Sequence, residues 1–298
     1  MVPILVVLAA CVVLALAVMP WAQRQRRADD LATVAARNGL HHSGSDPFGC
    51  TRVAFSLFHK GDGRSVENVV WRDRPDGLAT RAFDYSYYVE ARDDLGHMRR
   101  SYTRFSCVMA QIDGSWPDVT IQRSHLLDRA LSLVGLGDIK LESDEFNRRF
   151  ALRSPDRRFA VTLVDAQMID FLMSTDACFA FAVKGRWVLL ASDPVAPALV
   201  PALMRVGETF VAHIPRVVYE LWPSPFRDAQ GQPLAAGDDG YGRALQLAEL
   251  TERDPFASAS HPPGGPEPDD KPEYDLDGHL VVDRPQHPWV DGPQPAAD

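Results

Sequence analysis

The sequence predicts an α+β protein: a single N-terminal transmembrane helix, a strand-rich antiparallel cytoplasmic body with flanking helices, and a disordered C-terminal tail. Three observations predict it. Val2 to Trp21 holds no charged side chain, large apolar residues recur at alternate positions within Ala79–Ala91 and again within Met98–Ile112, and 13 of the 23 prolines follow Trp222. The expected divisions are an anchor at 1–22, a juxtamembrane helix at 23–40, an α+β domain at 41–222 and an acidic, proline-rich tail at 223–298.

A helix over Val2 to Ala22 covers roughly 30 Å, the thickness of a bilayer's hydrocarbon core. Pro20 and Trp21 suit the headgroup boundary, and Arg24, Arg26 and Arg27 follow as expected membrane-surface contacts. Positive charge after the span places residues 23–298 in the cytoplasm, the protein being single-pass in the cell membrane. Two other leader types have local matches. Ala15-Leu16-Ala17 fits a signal-peptide cleavage site but lies inside the apolar run, and Leu8-Ala9-Ala10-Cys11 resembles a lipobox with no charge before it.

The chain carries 31 basic and 40 acidic side chains, but residues 222–298 hold 15 acidic and 5 basic, so the remainder is close to neutral. With no basic domain, nucleic acid is not an expected partner. Cys11, Cys50, Cys107 and Cys178 form no CxxC pair, which suits reduced thiols.

Arg26 to Asn38 reads as a helix stopped at Asn38-Gly39. Thr51 to Phe58 alternates as a strand, Val69 to Arg72 is a short one, and Pro75-Asp76-Gly77 is a turn. Ala79 to Ala91 sets Phe83, Tyr85, Tyr87, Val89 and Ala91 on one face. Asp93-Asp94-Leu95-Gly96 connects it to a return strand from Met98 to Ile112, ended by Asp113-Gly114. A short strand at Val119 to Gln122 follows, and Ser124 caps a helix through Val134. Ser143 to Glu145 starts a helical turn with Phe146 and Phe150 at i, i+4. A hairpin is expected from Ala151–Arg153 and Arg158–Leu163. Asp165 begins a helix with Met168, Ile169 and Leu172 on one side. A second hairpin joins Cys178–Val183 to Arg186–Ala191 across Lys184-Gly185. Leu199 to Leu221 recurs at steps of three and four as one long helix kinked at Pro215.

The order Asp144-Glu145-Phe146-Asn147-Arg148-Arg149-Phe150, arginine-rich hairpin, Met168-Ile169-Asp170-Phe171-Leu172 and closing hairpin resembles a family of uncharacterised bacterial membrane-anchored proteins, a domain of unknown function, over residues 79–222. What the resemblance implies is an N-terminal anchor and a mixed α and β body, with no activity to transfer.

Catalytic motifs are absent: there is no HExxH, no phosphate loop, no GxSxG and no dinucleotide fingerprint. No cofactor is expected, and the balance tilts away from an enzyme, an envelope enzyme with an unrecognised site being the weakest alternative. His41-His42 with Asp46 and Cys50 matches no standard metal spacing, so no metal is expected. Cys107 and Cys178 read as buried, inert thiols. Arg148, Arg149, Arg153, Arg157 and Arg158 gather within eleven residues. They read either as solvated surface paired with neighbouring acids or as a contact for anionic lipid or an acidic partner. In the tail, Tyr241–Glu252 and Leu276–Val290 are apolar islands, and Leu280, Val282 and Trp289 are candidate docking residues for a protein partner. The function expected is an interaction or scaffold protein at the cytoplasmic face, with an anionic-lipid-binding or sensing domain as the alternative.

Overall fold

A computed structural model describes residues 2–74, 77–93, 96–123, 137–175 and 179–227, with isolated positions at 234, 243 and 246. Of the first helix, side chains are described at Met19 and from Trp21 onward. These residues fall within one compact unit, Met1–Asp254. The expected helix at Ser124–Val134 lies outside the described residues. So do Cys178, the Leu276–Val290 island with Leu280, Val282 and Trp289, and all of Tyr241–Glu252 except Arg243 and Gln246.

The body is a mixed helix and antiparallel-sheet structure, as the alternation predicts. In chain order it comprises α1 (Val2–Arg37), β1 (His41–Ser43), β2 (Gly63–Asp73), β3 (Ala79–Arg92), β4 (Met98–Arg123), α2 (Asp144–Arg149), β5 (Phe150–Arg153), α3 (Arg157–Leu163), α4 (Ala166–Ser174), β6 (Ala180–Ser192), α5 (Val200–Ala212) and α6 (Arg216–Leu221). The six-stranded sheet runs β1-β2-β3-β4-β5, with β6 also paired to β4. The spine is β4: Met98–Ala110 pairs with β3, Ser106–Gln122 with β6, and Thr120–Arg123 with β5.

Period-2 alternation gives the sheet two buried faces. One meets α1 and the later helices through Ala82, Val108, Ile112, Phe146, Met168, Leu203 and Phe210. The other, built from Phe83, Tyr85, Tyr87, Phe105, Cys107 and Met109, is covered by residues 50–58.

α1 is a single 36-residue helix, the segment expected at Arg26–Asn38 continuing from the apolar run without a break. It stops where Asn38-Gly39 predicts: Gly39 adopts φ 64°, Gly39 N–H donates to Ala36 O, and Leu40 N–H donates to Ala35 O at 2.9 Å. These two bonds satisfy end carbonyls that the helix itself leaves open. Among the residues whose side chains are described, no helix is long and apolar enough to cross a membrane.

Several sequence expectations give way to tertiary structure. Thr51–Phe58 is no strand; it folds as two 3-10 turns, Cys50–Arg52 and Ser56–His59, with Val53, Phe55 and Leu57 buried across the sheet. Alternation there records burial of a covering loop. β4 does not end at Asp113-Gly114 but passes through irregular register between Gln111 and Val119, because β6 supplies a partner on both sides of the irregularity. Arg158–Leu163 is not a strand but part of α3, since the Asp156 carboxylate accepts from Phe159 N–H at 2.9 Å and caps a helix. Lys184-Gly185 is not a turn. The strand β6 runs straight through it, Gly185 taking φ 56° opposite Trp116 at the irregularity of β4. The long helix expected over Leu199–Leu221 is two, α5 and α6, because Pro215 stands before the first turn of α6 instead of kinking a continuous helix.

Beyond Trp222 the chain still touches the body. Ser224 Oγ donates to Asp113 at 2.7 Å, Arg227 pairs with the same carboxylate, and Phe226 is buried.

Candidate functional site

A cleft lies where α1 crosses the sheet. Its volume is about 330 Å³, and it is lined from α1 by Gln23, Arg24 and Arg27, from β2 and β3 by Glu67, Asn68, Asp84, Tyr85 and Ser86, from β4 by Arg104 and Phe105, and by Pro194 after β6.

Asp84 organises one wall. It lies on the even-numbered face of β3, the face over which α1 lies. Its carboxylate accepts from Arg27 Nη2 at 2.6 Å, Arg27 Nε at 2.7 Å and Asn68 Nδ2 at 2.9 Å. Arg27 Nη1 donates to Val195 O at 2.8 Å, so one guanidinium ties α1, β3 and the β6–α5 connection together. A two-pronged arginine–carboxylate pair fixes orientation as well as charge. The Asp84 hydrogen bond raises the Arg27 pKa, outweighing the effect of burial. Removing one partner leaves a part-buried charge unpaired, a loss of about 2 kcal/mol.

Asn68 reaches Asp84 because β2 bulges between Glu67 and Val70, and Asn68 itself takes φ 56°. Asparagine tolerates this left-handed conformation better than most side chains. Its N–H is not orphaned, donating to Gly44 O at 3.1 Å.

The cleft therefore carries arginines of two kinds. Arg27 is neutralised in place. Arg24 and Arg104 face the cleft from opposite walls, both exposed, and neither has a hydrogen-bond or ion-pair partner among the described residues.

Arg24, Arg26 and Arg27 thus have different roles: Arg26 is exposed on α1, Arg24 lines the cleft, and Arg27 turns to the body. The second arginine group lies elsewhere, on α2, β5 and α3 at the far end of β4. Within it Arg149 pairs with Glu145 at 2.8 Å, Arg153 with Asp138 at 2.8 Å, and Arg158 lies over the Trp222 ring. Arg148 also has a partner, and Arg157 is exposed. The two groups are not brought together. The sequence missed Asp84, Asn68 and Arg104; the available signal was a carboxylate in the middle of a long alternating strand, which implies that something covers its polar-looking face.

His41, His42, Asp46 and Cys50 do not converge on a common point. His41 stacks on Trp71, while burial lowers the His42 pKa. The Asp46 carboxylate accepts from the N–H groups of Phe48, Gly49 and Cys50 at 2.6–3.0 Å and so shapes the covering loop. Among the described residues no group of His, Cys, Asp and Glu could hold a metal ion. Burial first, and Asp46 second, push the Cys50 thiol up to about 12, and burial pushes Cys107 well above the ordinary thiol range. Neither is a nucleophile at neutral pH.

No protein-family profile matches the chain, and no curated protein matches it. Among solved structures, it is similar to the crystal structure of the mycobacterial trehalose monomycolate transport factor A, TtfA. The TM-score is 0.47 with 13% sequence identity, covering 66% of this chain and 96% of that one. A likeness of this size carries neither ligand nor partner to this chain.

Proposed function

We propose that this chain is a single-pass membrane protein whose α1 spans the bilayer and whose body works as an interaction scaffold at the cytoplasmic face. The supporting observation is the continuity of α1. An uncharged run from Val2 to Ala22 passes without a break into a helix whose Leu31 and Ala35 are buried in the core and whose Arg27 is locked to Asp84. A body so attached has a fixed attitude to the membrane, as a scaffold requires and as a flexible linker would not provide.

The alternative, a domain that binds anionic lipid, is favoured by a different observation: Arg24 and Arg104, neither with an ion-pair partner among the described residues, line a cleft a few residues after the uncharged run.

Cys50 cannot report topology, because it is buried whichever side the body occupies. Leu199, exposed immediately before the first residue of α5, can. Leu199→Cys should resist an impermeant thiol reagent in intact cells and react once the membrane is opened, and the chain should stay with membranes in alkaline carbonate. Reaction in intact cells would refute the cytoplasmic assignment. Release by carbonate would refute the span.

A further inference from the structure

The hairpin of β3 and β4 is longer than the core it serves. Its paired residues continue outward from Asp84↔Ser106 through Ser86↔Arg104, Tyr88↔Tyr102 and Glu90↔Arg100 to Arg92↔Met98. Burial stops well short of that end: Tyr87 is the last buried residue of β3, whereas Val89, Met98 and Tyr102 are 45%, 57% and 52% exposed.

α1 lies along the same hairpin in register with it. Leu31 shares a small cavity with Ala82, Arg27 bonds Asp84, and Gln23 and Arg24 face Ser86 and Arg104. From Leu31 to Gln23 the helix advances ~12 Å, and from Ala82 to Ser86 the strand advances ~13 Å, so the two elements climb together. One further step, ~7 Å along the strand, brings the hairpin to Tyr88 and Tyr102 and the helix to Met19, Pro20 and Trp21. Met19 and Trp21 are exposed, as is Tyr102, while Tyr88 is half-buried.

The chemistry of this end is that of a membrane boundary. Tyr88 and Tyr102 pack with ring centroids 5.5 Å apart, the Arg100 guanidinium lies 4.7 Å over Tyr88, and Met98 and Val89 add apolar surface. Arg92, Arg99 and Arg104 are exposed and have no hydrogen-bond or ion-pair partner among the described residues. Of the described acids nearby, Glu90 accepts from Arg100, and Asp93 accepts from His97 N–H. Amphipathic aromatic rings with unpaired arginines suit a layer that is apolar below and anionic above.

We propose that the outer end of the β3–β4 hairpin is an interfacial arm that seats on an anionic lipid surface, a second membrane contact beside α1. It rests on the reading of α1 as a span. The arm and the helix together would hold the cleft against the headgroup layer, with Arg24 and Arg104 opening toward lipid phosphate.

The test uses the full chain in proteoliposomes of phosphatidylcholine alone or mixed with phosphatidylglycerol, with benzoylphenylalanine replacing Met98. A control places it at Val161, exposed on α3 after the far-end strand β5. Light should give lipid adducts from position 98 and not from 161, with more in anionic vesicles. Arg99→Glu with Arg104→Glu should lower the adduct by about fivefold or more, since an arginine near the surface is worth ~1 kcal/mol. A chain that resists carbonate but gives no adduct from 98 would overturn the arm and leave the span intact. Equal adducts in both vesicle types would overturn the anionic-surface assignment. Release of the whole chain by carbonate would remove the span, and the arm with it.

Discussion

The base and the outer end of the β3–β4 hairpin share one ladder and one pattern of alternation, yet they are different materials. At the base both faces are covered: Ala82 and Val108 meet helices, while Tyr85 and Phe105 meet the covering loop. At the outer end neither face is, and aromatic, apolar and arginine side chains stand in solvent. Strand length is thus set by two demands. Core packing accounts for β3 as far as Tyr87; beyond it, pairing continues with no fully buried residue to reward the ordering of backbone, about 1–2 kcal/mol per residue. A segment held in shape without a core of its own is where a contact surface is expected.

The largest effect belongs to the base. Tyr85 is buried, its ring lies 5.0 Å from that of Phe58, and its hydroxyl donates to Leu57 O at 3.1 Å. Tyr85→Ala removes both the ring and the bond to the covering loop, and should lower stability by ~3–5 kcal/mol. Tyr102→Ala, at the exposed end, should stay within ~0.5 kcal/mol. Urea unfolding of the full chain in detergent measures both. Comparable losses would mean that the hairpin is one cooperative unit and that its two ends do not differ in kind.

How much of this was legible follows the same division. Elements with local signals were readable: Ser143, Asp156 and Asp165 all accept from the N–H three residues on, and the expected helical turns at Ser143 and Asp165 form where those caps stand. Asp156 carries an equally good cap signal, but in the sequence the proline before it suggested a turn between strands. Phe146 and Phe150 stack at 5.0 Å as their spacing predicts. What alternation cannot tell is which faces are covered. Val53, Phe55 and Leu57 alternate like a strand because every second residue of the covering loop points into the sheet. Lys184-Gly185 looks like a turn because its reason is on another strand: Lys184 Nζ bonds Asp118 at 2.7 Å and Gly185 faces the irregularity at Trp116. The cleft was illegible for the same reason. Asp84 and Arg27 are far apart in sequence, and neither carries a motif; only the register of α1 on β3 joins them.

An intermediate effect sharpens the comparison through pH. Cys50 and Cys107 lie in the face that the covering loop seals, and both thiols are held above their ordinary range, Cys50 at about 12. In the unfolded chain these thiols ionise near pH 9, so the folded state binds more protons above that point. A raised folded pKa gives stability that is complete below the unfolded value and is lost as pH rises through the window up to the folded one. Each thiol therefore contributes a fall of ~1.4 kcal/mol per pH unit once the unfolded form is ionised. Cys50→Ala should remove one such contribution, so its stability should fall less steeply than wild type between pH 9.5 and 11, whatever its level at pH 7. Equal slopes would mean that the thiol is hydrated, and that the base of the hairpin is less sealed than its burial indicates.

The smallest effect belongs to Arg100, the most engaged side chain of the outer end. Its Nε donates to Glu90 at 2.8 Å and its guanidinium covers Tyr88, yet it remains 55% exposed. An ion pair in high dielectric gains little over the hydration it gives up, and salt weakens it further. Arg100→Ala should therefore move the melting temperature of the full chain in detergent by no more than ~2 °C at physiological salt. The same substitution frees Glu90, so it exchanges a neutral pair for a negative charge beside the Tyr88–Tyr102 rings. On an anionic surface that exchange is unfavourable even though the fold does not register it. A melting temperature unchanged in detergent together with weaker lipid adducts from position 98 would separate the hairpin's two ends by function. A drop of ~5 °C or more would instead make Arg100 part of the folding unit and erase the distinction on which the arm depends.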